Sequence, residues 1–153
     1  MILKLRQRMA RDESGFTLVE LLVVMLILGL LAAIAIPAFF NQRNKAKDAS
    51  AKEAVRTAET AIETFATDNQ GSYANATPAG LQNIESTLNG ASLTVPTHTA
   101  NTYKVTVTST TGNTFSIARA ANGTTVLSCT PANTDGCPAS TATTAPDGDW
   151  GNG

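Results

Sequence analysis

Residues 21–36 run without a polar side chain, counting Gly29 among the apolar ones. Residues 16–19 precede this run and residues 38–40 follow it. The apolar stretch therefore covers 16–40 and is interrupted only by Thr17, Glu20 and Pro37. A helix here has no polar face, which excludes an ordinary surface helix and predicts a place in lipid or inside a bundle of its own kind. About 20 helical residues cross a bilayer core of ~30 Å, so the segment is long enough to span one. Beyond Pro37 the pattern changes to a single stripe. Ala51, Ala54, Val55, Ala58, Ala61, Ile62 and Phe65 recur at three- and four-residue steps, with Lys52, Glu53, Arg56, Glu59 and Glu63 on other faces. Asp48 and Lys52 stand four apart with the acid first, the favourable order for a helix pair. Asp68, Asn69 and Gly71 supply the stop. One helix is predicted from about residue 16 to about 68, roughly 80 Å long, apolar all round in its first half and amphipathic in its second.

The remaining residues must cover the amphipathic half. Residues 78–88 predict a short helix, with Pro78 at its start and Leu81, Ile84 and Leu88 on one side. Tyr103, Val105 and Val107 alternate with polar residues, Thr111, Gly112 and Asn113 form turn material, and Phe115 and Ile117 alternate again. Asn122–Gly123 is the strongest hairpin signal and leads into residues 124–129. Three or four antiparallel strands against one helix face predict an α+β head. Residues 138–153, rich in Thr, Pro, Asp and Gly, are expected to form a flexible or surface-bound tail carrying Trp150. The chain thus divides into 1–15, 16–40, 41–68, a head over 69–137, and the tail.

Charge adds a direction to this layout. Lys4, Arg6, Arg8 and Arg11 precede the apolar stretch, Glu20 is the one charge within it, and the rest carries thinly spread charges. Positive charge before an apolar span keeps that end cytoplasmic and sends the remainder across the membrane. No basic stripe forms, so no specific nucleic-acid partner is expected. Cys129 and Cys137 are the two cysteines. In an exported segment an even count reads as one disulfide, the alternative being two buried thiols. No cofactor is expected. The single histidine, His98, leaves no Ser/His/Asp set, and the chain is read as a non-enzyme. Asp147 and Asp149 are weak candidates for calcium, which needs 6–8 oxygen ligands.

The junction at residues 14–20 carries most of the functional signal. An ordinary secretory signal is cut after its apolar run, but no small-residue site follows this one directly. A cut before the run leaves the run on the exported protein, and Gly15 suits it because a residue without a side chain admits a protease to the backbone. Glu20 needs a partner, since a carboxylate at the centre of an apolar span costs about 2.5–3.5 kcal/mol and less near the interface. Cleavage after Gly15 gives Phe16 an α-amino group with a pKa of about 7.7–8.0. Phe16 and Glu20, four apart, then fall on one helix face. The alternative is that Glu20 simply faces the membrane interface.

The stretch GFTLVELLVVMLILGLLAAIAIPAF resembles the leader junction of type IV pilins and type II secretion pseudopilins, closely over residues 11–40 and more loosely beyond. The resemblance implies a pilin-like fold: a long N-terminal helix packed on a small antiparallel sheet. It implies that a separate membrane peptidase cuts between Gly15 and Phe16 and methylates Phe16. It implies that Glu20 meets the N-terminus of a neighbouring subunit in a helical homo-oligomer built on an inner-membrane assembly platform. Before assembly the chain is expected in lipid, with the leader inside and the head outside; afterwards it is expected in an extracellular filament. Gly29 and Pro37 border a stretch that loses helicity in filaments of this class, the alternative here being a static kink. The function implied is that of a type IV pilus subunit for adhesion, motility or DNA uptake. A pseudopilin or minor pilin of a secretion or competence machine is the alternative, which calcium near Asp147 would favour.

Overall fold

The computed structural model describes residues 15–139 and 148–151. The chain forms two compact units, Met1–Phe40 and Asn41–Gly153. Helix α1 (Leu18–Asp68) contributes to both. Its start falls two residues inside the expected boundary, because Thr17 takes the capping position and leaves Phe16 outside the helix. Its end is abrupt: Gln70 and Gly71 both adopt positive φ, and the Gly71 N–H donates back to the Ala66 carbonyl at 2.7 Å. Glycine takes that conformation without steric cost.

In the second unit the stripe on α1 packs as its spacing predicts. Val55, Ala58, Ala61 and Ile62 are buried, and they join Tyr103, Val105, Val107, Phe115 and Ile117 from the sheet in one core. Full burial of the valine, isoleucine and phenylalanine side chains among them contributes about 1.5–3 kcal/mol each. The sheet comprises β1 (Ser92–His98), β2 (Tyr103–Thr108), β3 (Thr114–Arg119) and β4 (Thr125–Thr130), antiparallel and in sequence order. The α+β head is thus as expected. The Asn122–Gly123 turn joins β3 to β4, with Gly123 at φ 86°. Strand β1 is the element that the alternation did not single out. Its pairing to β2 is irregular between Thr94 and Thr97, where Pro96 has no N–H to offer, and an edge strand tolerates this.

One further expectation is corrected. The short helix is α2 (Pro78–Ile84) and does not reach residue 88. Thr77 caps it, Oγ1 accepting from the Gly80 N–H at 3.1 Å, but Glu85 turns extended and its carboxylate starts a separate 3-10 turn at Ser86–Gly90. Within the segment expected to be flexible or surface-bound, residues 148–151 lie on the head. Gly148 pairs with Cys129 in an antiparallel bridge, and Trp150 is only 8% exposed.

Candidate functional site

The site begins where the helix begins. Thr17 and Glu20 form a capping box, each side chain satisfying a backbone N–H at the other residue. The Glu20 N–H donates to Thr17 Oγ1 at 3.2 Å, while the Thr17 N–H and hydroxyl both donate to Glu20 Oε2 at 3.1 Å. A carboxylate in the first turn also faces the positive end of the helix dipole. The acid is therefore held by Thr17, and Phe16, outside the helix, is not on a shared helical face with it. The Thr-x-x-Glu spacing of Thr17 and Glu20 is the sequence signal for such a box.

After this cap the apolar residues find no cover within the chain. Phe16 is 79% exposed, Met25 72% and Ile34 71%, and only Ala32 between residues 16 and 40 is even half-buried. The helix is long and apolar enough to cross a membrane by length and composition. Soluble monomers rarely leave contiguous apolar patches above a few hundred Å² in water. Pro37 lies within the continuous helix, and a Cβ added at Gly29 would meet nothing within 4 Å. Packing in this chain therefore does not require the glycine.

In the head, Cys129 and Cys137 form a disulfide with Cα atoms 5.8 Å apart, settling the choice between a bridge and two thiols. Beside it lies a polar cluster that the sequence pattern does not single out. Asp48 is fully buried. Its Oδ1 accepts from Thr111 Oγ1 at 2.5 Å, and its Oδ2 accepts from Asn113 Nδ2 at 2.7 Å and from the Gly136 N–H at 2.9 Å. One helical carboxylate thus ties down both the β2–β3 turn and the disulfide loop. Burial pushes its pKa up, but hydrogen bonds from Thr111, Ser109, Gly136 and Asn113 outweigh this and leave it below the ordinary 3.8. Lys52, the expected ion-pair partner, instead holds its ammonium 5.5 Å from the Phe115 ring centroid and 5.8 Å from that of Trp150.

A second cluster gathers on Glu63. Oε1 accepts from Tyr103 Oη at 3.0 Å and Arg119 Nη1 at 3.1 Å, and Oε2 accepts from Tyr73 Oη at 2.8 Å. Burial, together with the neighbouring carboxylate, raises the pKa of both tyrosines. Both clusters hold the head together, and Tyr73 and Arg119 of the second also line a shallow surface cavity with Asn101 and Gly123. His98 is exposed at the end of β1. Asp149 Oδ1 accepts from the Gly151 N–H at 2.9 Å, and Asp147 lies outside the described residues. Among the described residues no group of three or more His, Cys, Asp or Glu could hold a metal.

Comparison with known proteins adds a lineage. Residues 10–36 match the family model of the prokaryotic N-terminal methylation motif. The chain is 39% identical over 59 residues to type II secretion system core protein G of Pseudomonas aeruginosa, covering 39% of this chain and 42% of that one. It is 41% identical over 65 residues to the type IV major pilin protein PilA of Myxococcus xanthus, covering 41% and 30% respectively. It is 30% identical over 93 residues to the type IV wide pilus major component PilA4 of Thermus thermophilus, covering 61% and 71%. The chain spans less than half the length of the first two and over two thirds of the third. No solved structure matches it. A methylation motif at the start of a capped apolar helix, and a relative matched well beyond that helix, place the chain in the type IV pilin and pseudopilin family.

Proposed function

We propose that this chain is the structural subunit of a type IV pilus filament and not a catalyst. The observation that carries the reading is the apolar stretch at the start of α1, where every residue from 16 to 40 except the half-buried Ala32 is exposed. Lipid covers such a surface before assembly, and equivalent helices of other copies cover it in a fibre, at no cost in exposed apolar area. A peptidase cut between Gly15 and Phe16 removes the basic leader and frees an amine four residues from Glu20. Glu20 then exchanges its Thr17 hydrogen bonds for the amine of a neighbouring subunit. A buried pair of this kind adds little net stability but fixes register along the fibre. Residues 29–37, weakened by Gly29 and Pro37, are where the helix extends in the assembled state.

The filament helix is common to pili and pseudopili, so the choice between them rests on the head. The match to the wide pilus component covers 93 residues and that to a type II secretion core protein G of Aeromonas hydrophila 79, so both reach past the end of α1 at Asp68, and the pilus component matches more of the chain. The disulfide and the Thr-rich surface of a small head also favour a pilus. The test is to express the chain in a host that supplies peptidase and assembly platform, shear the cells and image the supernatant. Long fibres labelled by an antibody to the head are expected. Processed subunit confined to the cell envelope would favour a pseudopilus, and uncut, unassembled chain would overturn both.

A further inference from the structure

We propose that residues 148–151 form a strap that seats on the Cys129–Cys137 disulfide and closes the free edge of β4 only while that bond is intact. Strand β4 ends the sheet, and an open strand edge offers unpaired N–H and C=O groups to any other chain. The strap occupies part of that edge. The Gly148 N–H donates to the Cys129 carbonyl and the Cys129 N–H to the Gly148 carbonyl, both at 2.8 Å. Two residues on, Trp150 Nε1 donates to the Ser128 carbonyl at 3.0 Å. Its ring stands edge-on to Phe115, with centroids 6.1 Å apart, and beneath the side chains of Lys52 and Arg56 from α1. The tryptophan thereby fastens the strap to strand, core and helix together.

What makes the seat depend on the bond is the space at Gly148. A Cβ there would stand 2.8 Å from Cys137 Sγ and 3.0 Å from Cys129 Sγ, and would collide with the Pro138 carbonyl oxygen. The glycine lies directly against the bridge, walled in by its two sulfurs and by the carbonyl of Pro138, the residue after Cys137. A thiol reductant delivers two electrons to the S–S bond, each cysteine sulfur takes a proton, and the reagent leaves as its own disulfide. Two thiols cannot stay at bonded distance, and on the Gly148 side there is no room for them to part. The strap must lift. Subunits that have not been oxidised thus expose the β4 edge, and oxidised subunits keep it closed.

The sequence holds one tryptophan, so Trp150 reports on the strap without labelling. The full chain in detergent micelles is compared before and after treatment with a dithiol, by acrylamide quenching of tryptophan emission and by the near-ultraviolet tyrosine signal of the Tyr73–Tyr103 pair. Quenching is expected to rise severalfold on reduction while the tyrosine signal persists. Gly148→Ala, with its disulfide intact, is expected to show the same rise without reductant. Gly148→Ala also separates release of the strap from any wider loosening on reduction. Protection of Trp150 that is unchanged in the reduced chain, or unchanged in oxidised Gly148→Ala, would overturn the proposal.

Discussion

Replacing Asp48 by alanine removes the acceptor that joins α1 to the β2–β3 turn and to the disulfide loop. The losses differ among Thr111, Asn113 and Gly136. Thr111 Oγ1 keeps a bond to Ser109 Oγ at 3.1 Å, and Asn113 Nδ2 keeps one to the Thr134 carbonyl at 3.1 Å. The Gly136 N–H has no such second acceptor. Hydrogen bonds to a charged group are worth about 1.5–3 kcal/mol each, and an orphaned buried donor costs about 1–3 kcal/mol. The cost of desolvating the carboxylate offsets part of this, so the expected destabilisation is about 3 kcal/mol. Asp48→Asn keeps one carbonyl-type acceptor but turns its amide toward that of Asn113, and about 2 kcal/mol is expected. Equilibrium denaturation of the detergent-solubilised chain, followed by tyrosine circular dichroism, measures both. The pH dependence supplies a second check. The folded pKa lies below the ordinary 3.8, so the carboxylate's contribution is complete at neutral pH and fades as pH falls through and below that value. A loss under about 1 kcal/mol, or wild-type and Asp48→Asn chains with equal acid sensitivity, would refute the reasoning.

Three further outcomes are expected. Glu20→Ala should be cut and inserted normally yet enter filaments poorly, as the yield of sheared fibres would show; its loss of helix cap alone costs only about 1 kcal/mol, so normal fibres would contradict the pairing of Glu20 with a neighbour's amine. Gly15→Val should accumulate as uncut precursor in the membrane, seen as a larger mass, and ordinary processing would mean that the junction lies elsewhere. Glu63→Ala should lower head stability by about 2–3 kcal/mol, measured by thermal unfolding, because the hydroxyls of Tyr103 and Tyr73 lose their carboxylate acceptor in a buried setting.

What could be read in advance follows from where the interactions lie along the chain. Helix α1, the alternation of β2 and β3 and the Asn122–Gly123 turn are local patterns, and they folded as read. The capping box was equally local. Asp48 illustrates the opposite case: its partners Thr111, Asn113 and Gly136 stand 63, 65 and 88 residues away. Beside Lys52 its spacing imitates a helix pair, and only the folded sheet brings its donors to it. Glu63 is hidden in the same way, gathering Tyr103 and Arg119 from 40 and 56 residues on. Trp150 sat in a segment whose composition suggests a tail, and what anchors it is one glycine able to lie on a disulfide. Strand β1 was missed because Pro96 interrupts its alternation, which matters little at a sheet edge.

The most direct test is the mass of the subunit recovered from sheared surface fibres, with the sequence of its N-terminal peptide. A chain that starts at Phe16, carries one added methyl group there and has Cys129 joined to Cys137 is the predicted result. Fibre protein that retains Met1, or that begins beyond Phe40, would contradict it, because the apolar helix would then be either still tagged with its basic leader or missing.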